Sequence, residues 1–446
     1  MTSFFRAYDL RGTFPDEIGE AEATRVGRAF GTYTDASRIL VGRDGRIHAP
    51  EVASAFVAGV TDTGTDVITV GCVPTPLVRF AARTQDVGPT VMVTASHNPP
   101  EYIGFKFTTT DGAAMSRDAG MAEIQRLYES REFDNGDAEV IERDMLPTYR
   151  SYLGDRLGNV EDLTVAVNFA NGAAGTVARD ILERMGCTVI GINEEIDGRF
   201  PAHLPVPDDP AAISLVTDHL GEADIGIIFD GDADRVGLVL PEQGAIEADK
   251  LMAIFARECL QRREGAVVFS LDTSQLVPQI AREHGGSVHE LRVGFTFISE
   301  FIHERSDVVF AGEPSGHYAF PAFDVAWDDG IFGAGLLCQL AGNTDLGGDI
   351  DAFPDYPVSP QHRLDCPERC KETVVAAIAD EFESYDQSTV DGVKIFFEDG
   401  WALVRPSNTE PKLSVRCEAD TEAALAAIEE NMLEAVERLI EDCATS

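Results

Sequence analysis

Lysine is nearly missing from this chain of 446 residues. There are five, Lys106, Lys250, Lys371, Lys394 and Lys412, and the other basic residues among 35 Lys and Arg are arginines. Against them stand 77 Asp and Glu, a net charge of −42. Such an excess of one sign repels nucleic acid and anionic membranes, and neither is expected as a partner. No run reaches about 18 apolar residues, so no membrane span is expected. The N-terminus MTSFFRAYDLRG has no apolar core segment, so no export signal is expected either. The eight cysteines are dispersed, with only Cys366 and Cys370 close together and no CxxC pair. They read as reduced thiols of a cytoplasmic protein. The acyl-transfer serine pattern GxSxG is absent, and no exact internal repeat is found.

What is present is an ordinary supply of core. Apolar residues make up 44% of the chain, and the acids are scattered among apolar runs, which argues for a folded protein with an acidic surface. Short β-branched runs alternate with helical patterns. The runs are Ile39–Val41, Val67–Val70, Val91–Val93, Val165–Val167, Ile225–Phe229, Val267–Phe269 and Val308–Phe310. Helical patterns include Glu20–Phe30, Ala49–Thr63 and Ala173–Met185. This alternation predicts α/β units with largely parallel sheets. The polar stretch 134–144, the turn Pro241–Gly244 and the Gly/Asp/Pro-rich stretch Asn343–Pro360 read as breaks or linkers. They divide the chain into 1–145, 146–244, 245–350 and 351–446. The last piece ends in an amphipathic helix carrying Leu425, Ile428, Met432, Val436, Leu439 and Ile440, with Asp420 or Thr421 as N-cap.

Four motifs carry chemistry. Three directly follow apolar strands, where open α/β sheets bind ligands, and the fourth follows the strand-like Trp401–Val404. In Val93-Thr-Ala-Ser-His-Asn-Pro-Pro100 a turn after a strand offers the Ser96 hydroxyl, and Lys106 lies ten residues on; a capped turn with a satisfied serine is the plainer alternative. Phe229-Asp-Gly-Asp-Ala-Asp-Arg235 brings Asp230, Asp232 and Asp234 into one loop. Three carboxylates so close repel one another unless they share a hard cation, and the ligand positions they leave free suit Mg²⁺. The EF-hand pattern fails, with Arg235 and Pro241 at its Gly and Glu positions. Gly312-Glu-Pro-Ser-Gly-His317 offers Glu313 and Ser315 to vicinal sugar hydroxyls. His317 can move a proton near neutral pH, or simply be structural. Arg405-Pro-Ser-Asn-Thr-Glu-Pro411 supplies a guanidinium, hydroxyls and turn N–H groups suited to a phosphate, or a hydrogen-bonded turn.

In this order and at these spacings the motifs resemble the α-D-phosphohexomutase superfamily, from Phe5-Arg-Ala-Tyr-Asp-Leu-Arg-Gly12 to Arg416. The resemblance includes Val41-Gly-Arg-Asp-Gly-Arg46 and Asn171-Gly-Ala-Ala-Gly175. It implies an α/β protein with four domains around a central cleft: three α/β mixed-sheet domains and a smaller C-terminal α+β domain. It implies a phosphohexomutase that interconverts hexose 6-phosphate and hexose 1-phosphate, of mannose and/or glucose. The route would run through a phosphoserine at Ser96, with Mg²⁺ as cofactor and a sugar 1,6-bisphosphate as activator and intermediate. By the same resemblance Asp230, Asp232 and Asp234 hold the metal together with a phosphoserine oxygen. Arg11 and Lys106 stand beside the phosphoserine with a part in proton transfer, and His317 is an active-site neighbour. Arg235, Glu313 and Ser315 meet the sugar, while Arg405, Ser407, Asn408 and Thr409 hold the non-reacting phosphate. The expected partners are small hexose phosphates, and the expected state is a monomer or small homo-oligomer.

Departures bear on the sugar. The stretch Arg292-Val-Gly-Phe295 replaces the Lys-Thr-Gly-His-like loop common in mannose/glucose mutases. A lysine seen after the third-domain strand is replaced near Leu271-Asp272-Thr273. These features and the acid-rich, lysine-poor composition are similar to those of halophilic archaeal proteins. A phosphoglucosamine mutase and an inactive sugar-phosphate-binding relative stay open as alternatives.

Overall fold

The computed structural model describes residues 4–6, 9–407 and 411–445. Four sheets succeed one another along the chain. The second runs Thr188–Ile192, Thr164–Asn168, Ile225–Phe229, Val236–Leu240, Gly244–Ala245 across its width. Its first three strands are parallel and the last two return antiparallel. The third sheet repeats this order and these senses with Ser287–Leu291, Ala266–Ser270, Val308–Gly312, Tyr318–Phe320 and Val325–Asp328. The first sheet does so too, with Asp66–Cys72, Arg38–Arg43, Thr90–Val93 and Tyr102–Thr108, but its fifth place is filled from the N-terminus by Leu10–Thr13. Three copies of one topology therefore exist without a repeated sequence, because a buried strand demands only apolar, β-branched residues. The fourth sheet is wholly antiparallel. The α/β class with three mixed sheets and a C-terminal α+β unit is thus present.

The apolar runs read as strands all lie in strands. Other expectations need correction. The helix expected over Ala173–Met185 is broken: a 3₁₀ turn, Ala173–Thr176, gives way at Val177 (φ −153°, ψ −24°) to the helix Ala178–Met185. The polar stretch 134–144 contains the strand Val140–Glu142, an added edge of the first sheet. The expected linker after Asn343 carries a further helix, Leu346–Asp351, capped by Asp345. The cysteines are not all reduced thiols, since Cys370 and Cys443 form a disulfide. Their separation of 73 residues hid the pairing, which the C-terminal helix Glu422–Thr445 brings about by packing beside Lys371–Glu381. Thr421 is the cap of that helix, accepting the Ala424 N–H at 3.2 Å.

Packing divides the molecule unequally. One continuous apolar core joins the first three sheets, running from Leu40 and Phe80 through Val165 and Phe229 to Phe255, Phe310 and Trp327. The helix Leu146–Gly154 crosses between them, and its Tyr149 hydroxyl donates to Asp329 at 2.8 Å. The fourth sheet has a core of its own, built from residues such as Ile395, Val415 and Met432. Among the described residues no helix is long and apolar enough to cross a membrane.

Candidate active site

The three related sheets each place chemistry on the same turn, the one joining the third strand to its antiparallel fourth. In the first sheet this turn holds Ser96, in the second Asp230–Asp234, and in the third Glu313–His317. The turns converge on a cavity of about 560 Å³. Arg11, Ser96 and Lys106 line it from the first sheet, Asp234 and Arg235 from the second, Glu313, Ser315 and His317 from the third. Cations are gathered here in a chain that has few.

Ser96 is buried, with φ at +49°, a left-handed conformation uncommon for a residue with a Cβ. The surroundings enforce it. Its N–H donates to Thr94 Oγ1 at 2.8 Å. Arg46, 1% exposed, donates to the carbonyls of Ser96 (2.7 Å), Asn98 (2.6 Å), Pro99 (2.7 Å) and Tyr102 (3.0 Å). One guanidinium thus shapes the whole turn, and Asp44 neutralises it at 3.3 Å. We expect Arg46→Met to cost on the order of 3–5 kcal/mol, since it strips a buried charge pair of one member and takes a charged donor from four carbonyls. A denaturant titration measures this, and a loss below about 1 kcal/mol would contradict the role.

The aspartate loop comes very close to the serine turn. A Cβ on Gly231 would lie 2.6 Å from the Ser96 carbonyl oxygen, so only glycine fits. The Ser96 hydroxyl donates to Asp230 Oδ2 at 2.9 Å. Lys106 Nζ donates to Asp232 Oδ2 at 2.8 Å and to Asp234 Oδ2 at 2.6 Å. Thr75, at the start of the helix Thr75–Thr84, donates to Asp232 at 2.6 Å. All three aspartates are fully buried, and one oxygen from each lies within 4.8 Å of the others. Burial and the repulsion of Asp234 and Asp232 raise the Asp230 carboxyl well above the usual range. Burial pushes Asp234 up as well, but Lys106 and His317 overcome it and hold that carboxylate well below. Asp232 Oδ1 and Asp234 Oδ1 are buried with no hydrogen-bond partner. Asp232 Oδ1, buried without a donor, and the three carboxylates gathered within 4.8 Å fit a divalent cation, and the all-oxygen donor set suits a hard one.

On the third sheet Ser315 donates to Glu313 Oε1 at 2.5 Å, and His317 Nδ1 lies 2.9 Å from the same oxygen. His317 Nε2 faces Asp234 Oδ1 at 3.3 Å. Burial and Arg235 push the imidazole down, yet Asp234 and Glu313 raise it to about 9. His97 is the opposite case, driven down to about 2 by burial, Arg235 and Arg11. Lys106 is lowered by burial, but Asp232 and Asp234 more than compensate, so it stays charged. Arg11 reaches Asn98 Oδ1 with one nitrogen and Asp9 with another.

Arg405 is not among the described residues lining the cavity. It sits near the end of Gly400–Pro406, the central strand of the fourth sheet, paired with Asp391 at 2.6 Å. Ser407 gives its carbonyl to Lys371 Nζ at 2.7 Å. Asn408 and Thr409 lie outside the described residues. Sequence reading assigned no role to Arg46, Asp44, Thr75, or the Arg79–Asp328 pair (2.7 Å) on the cavity wall. The stretch Val41–Arg46 was the only signal for the first two. Asp272, at the place of the missing lysine, lines the cavity and accepts from Ser270 Oγ at 2.6 Å.

A serine turn, a triple-aspartate loop and a hydroxyl-gripping loop, set on three copies of one topology, define a phosphosugar mutase class of enzyme. Models of this kind of protein match in order along the chain. "Phosphoglucomutase/phosphomannomutase, alpha/beta/alpha domain I" covers residues 2–135, domain II 150–244, domain III 247–351 and the C-terminal domain 363–435. The chain belongs to the phosphoglucomutase/phosphomannomutase family and is an enzyme of the phosphohexomutase type. It is 34% identical to a phosphomannomutase/phosphoglucomutase of Pseudomonas aeruginosa over 98% of this chain and 96% of the relative. A probable phosphoglucosamine mutase of Methanopyrus kandleri is 33% identical over 99% of both. The crystal structure of a Burkholderia thailandensis phosphoglucomutase/phosphomannomutase family protein superposes with a TM-score of 0.92 at 30% identity, covering 98% of each chain.

Proposed function

We propose that this is a cytoplasmic, Mg²⁺-dependent phosphohexomutase that interconverts the 6- and 1-phosphates of mannose and/or glucose through a phosphoserine at Ser96. The observation that carries the reading is the 2.9 Å contact of Ser96 Oγ with Asp230 inside a cavity shared by Lys106 and Arg11. In the first half-reaction a sugar hydroxyl oxygen bonds to phosphorus as the bond to Ser96 Oγ breaks. The hydroxyl proton ends, net, on Ser96 Oγ, and the product is the sugar 1,6-bisphosphate. The bisphosphate turns end for end, and its other phosphoryl group returns to Ser96. Lys106 and Arg11 offset the phosphoryl charge, Glu313 and Ser315 orient the sugar, and His317 holds Glu313 in place. Asp230, Asp232 and Asp234 would hold Mg²⁺, which when bound draws charge off the transferring group. Arg235 completes the sugar contacts, with Arg405, Ser407, Asn408 and Thr409 on the non-reacting phosphate. The domain division 1–145, 146–244, 245–350 and 351–446 belongs to this reading.

A second reading takes an amino sugar phosphate, and Asp272 favours it, because a carboxylate on the cavity wall can pair with an ammonium group. A panel decides. Mannose, glucose and glucosamine 1-phosphates are each incubated with Mg²⁺, a trace of the matching 1,6-bisphosphate and molar salt. We expect 6-phosphate from mannose or glucose. Free phosphate as the main product would indicate a phosphatase instead, and no product from any sugar would leave a binding protein.

A further inference from the structure

The fourth sheet must deliver Arg405 and the loop after it to a substrate whose remaining contacts lie on the first three. Asp391 stands at that seam, in the turn between Asp386–Ser388 and Val393–Phe397. Its Oδ2 accepts from Arg405 Nε at 2.9 Å and Nη2 at 2.6 Å. The same oxygen accepts the backbone N–H of Val293 at 3.1 Å. Val293 and Gly294 belong to the third sheet's side and line the cavity. The turn reaches Arg405 because residue 392 is glycine, with φ at +79°; a Cβ there would lie 2.2 Å from the Val404 carbonyl oxygen. Other groups bridge the seam nearby: Arg416 donates to the Asp272 carbonyl at 3.2 Å and the Gln275 N–H to Glu418 at 2.9 Å. Leu271 and Val293 meet Trp401 and Leu403, and Lys394 Nζ donates to the Leu271 carbonyl at 2.8 Å and to Glu290 at 2.7 Å.

We infer that Asp391 is a positioning residue that couples two events: alignment of Arg405 for the phosphate, and docking of the fourth domain on the cavity wall at Val293. The inference rests on the mutase reading above. A bisphosphate that must turn over inside the cleft escapes if the fourth domain swings away, and each escape leaves Ser96 without its phosphoryl group. The contact at Val293 therefore sets how often the intermediate is retained, and the contact at Arg405 sets how well phosphate binds.

Rates with the sugar phosphate turned over in the panel, measured with and without added 1,6-bisphosphate, separate these roles. Asp391→Ala loses both contacts. Its KM should rise by about tenfold or more, the usual scale for losing a charge-assisted hydrogen-bond partner. Its turnover should fade unless bisphosphate is supplied, and recover when it is. Asp391→Asn keeps an oxygen for Val293 but loses the charge facing Arg405. It should show the raised KM without the new bisphosphate requirement. An Ala variant with unchanged KM and no such requirement overturns the inference while wild-type turnover keeps the functional reading intact. Should the Ala variant not fold, an unchanged KM in the Asn variant overturns it as well. No wild-type turnover at all overturns both.

Discussion

Ser96→Ala should lose turnover on the order of 10⁴-fold or more, as enzymes do when the group that carries a covalent intermediate is removed. The fold should survive. The Ser96 hydroxyl donates one hydrogen bond, to Asp230, and its left-handed backbone is held by Arg46 and by the Thr94 hydroxyl, neither of which needs the side chain. The thermal melt should therefore stay close to wild type. Transfer of labelled phosphoryl from a hexose 1,6-bisphosphate to the protein should vanish. A variant that turns over normally, or still takes up label, would refute the covalent route.

The Asp232→Ala outcome is read twice, in stability without a cation and in the response to Mg²⁺. In the protein without a cation three buried carboxylates repel one another, and Asp232 is the middle one. Removing it takes an acceptor from the Thr75 and Thr94 hydroxyls and from Lys106, but Lys106 keeps Asp234 at 2.6 Å. The melt without Mg²⁺ should fall modestly, since burial and Asp234 push the Asp232 carboxyl up, yet Lys106 and Thr75 hold it below its usual range. Binding of a cation to the native state alone stabilises by about 2.7 kcal/mol at a hundred times its dissociation constant. That Mg²⁺-induced gain should disappear in the variant, and activity should fall on the order of 10²–10⁴-fold. A full Mg²⁺ response in the melt would remove Asp232 from the metal site.

Local density of chemistry decided what could be read in advance. Ser96 with its prolines, and three aspartates in five positions, announce themselves within one turn of chain. Glu313 and His317 do so in the same way. Their convergence, the cavity and the 2.9 Å contact between positions 96 and 230 were legible only through resemblance to a family. Arg46 was invisible in role because its partners are carbonyls 50 or more residues away, and carbonyls have no sequence signature. Asp391 and Thr75 share that difficulty. Periodicity encodes neither the break at Val177 nor the close packing beside it, where a Cβ at Gly175 would meet the Glu194 carbonyl oxygen at 2.4 Å. The stretch after Asn343 read as linker because Gly, Asp and Pro dominate it, yet the Asp345 cap and the buried Leu346 and Ile350 suffice for a short helix.

The unequal sharing of apolar interior has a bearing on inheritance. A core common to the first three sheets means that a change in one is felt by the other two, so the reaction chemistry on their turns is bound to drift slowly and together. The fourth sheet, filled from within by Ile395, Val415, Met432 and their neighbours, owes little of its integrity to the rest. Its loops are free to be retuned, or the whole unit exchanged between relatives, while the machinery around Ser96 stays as it is.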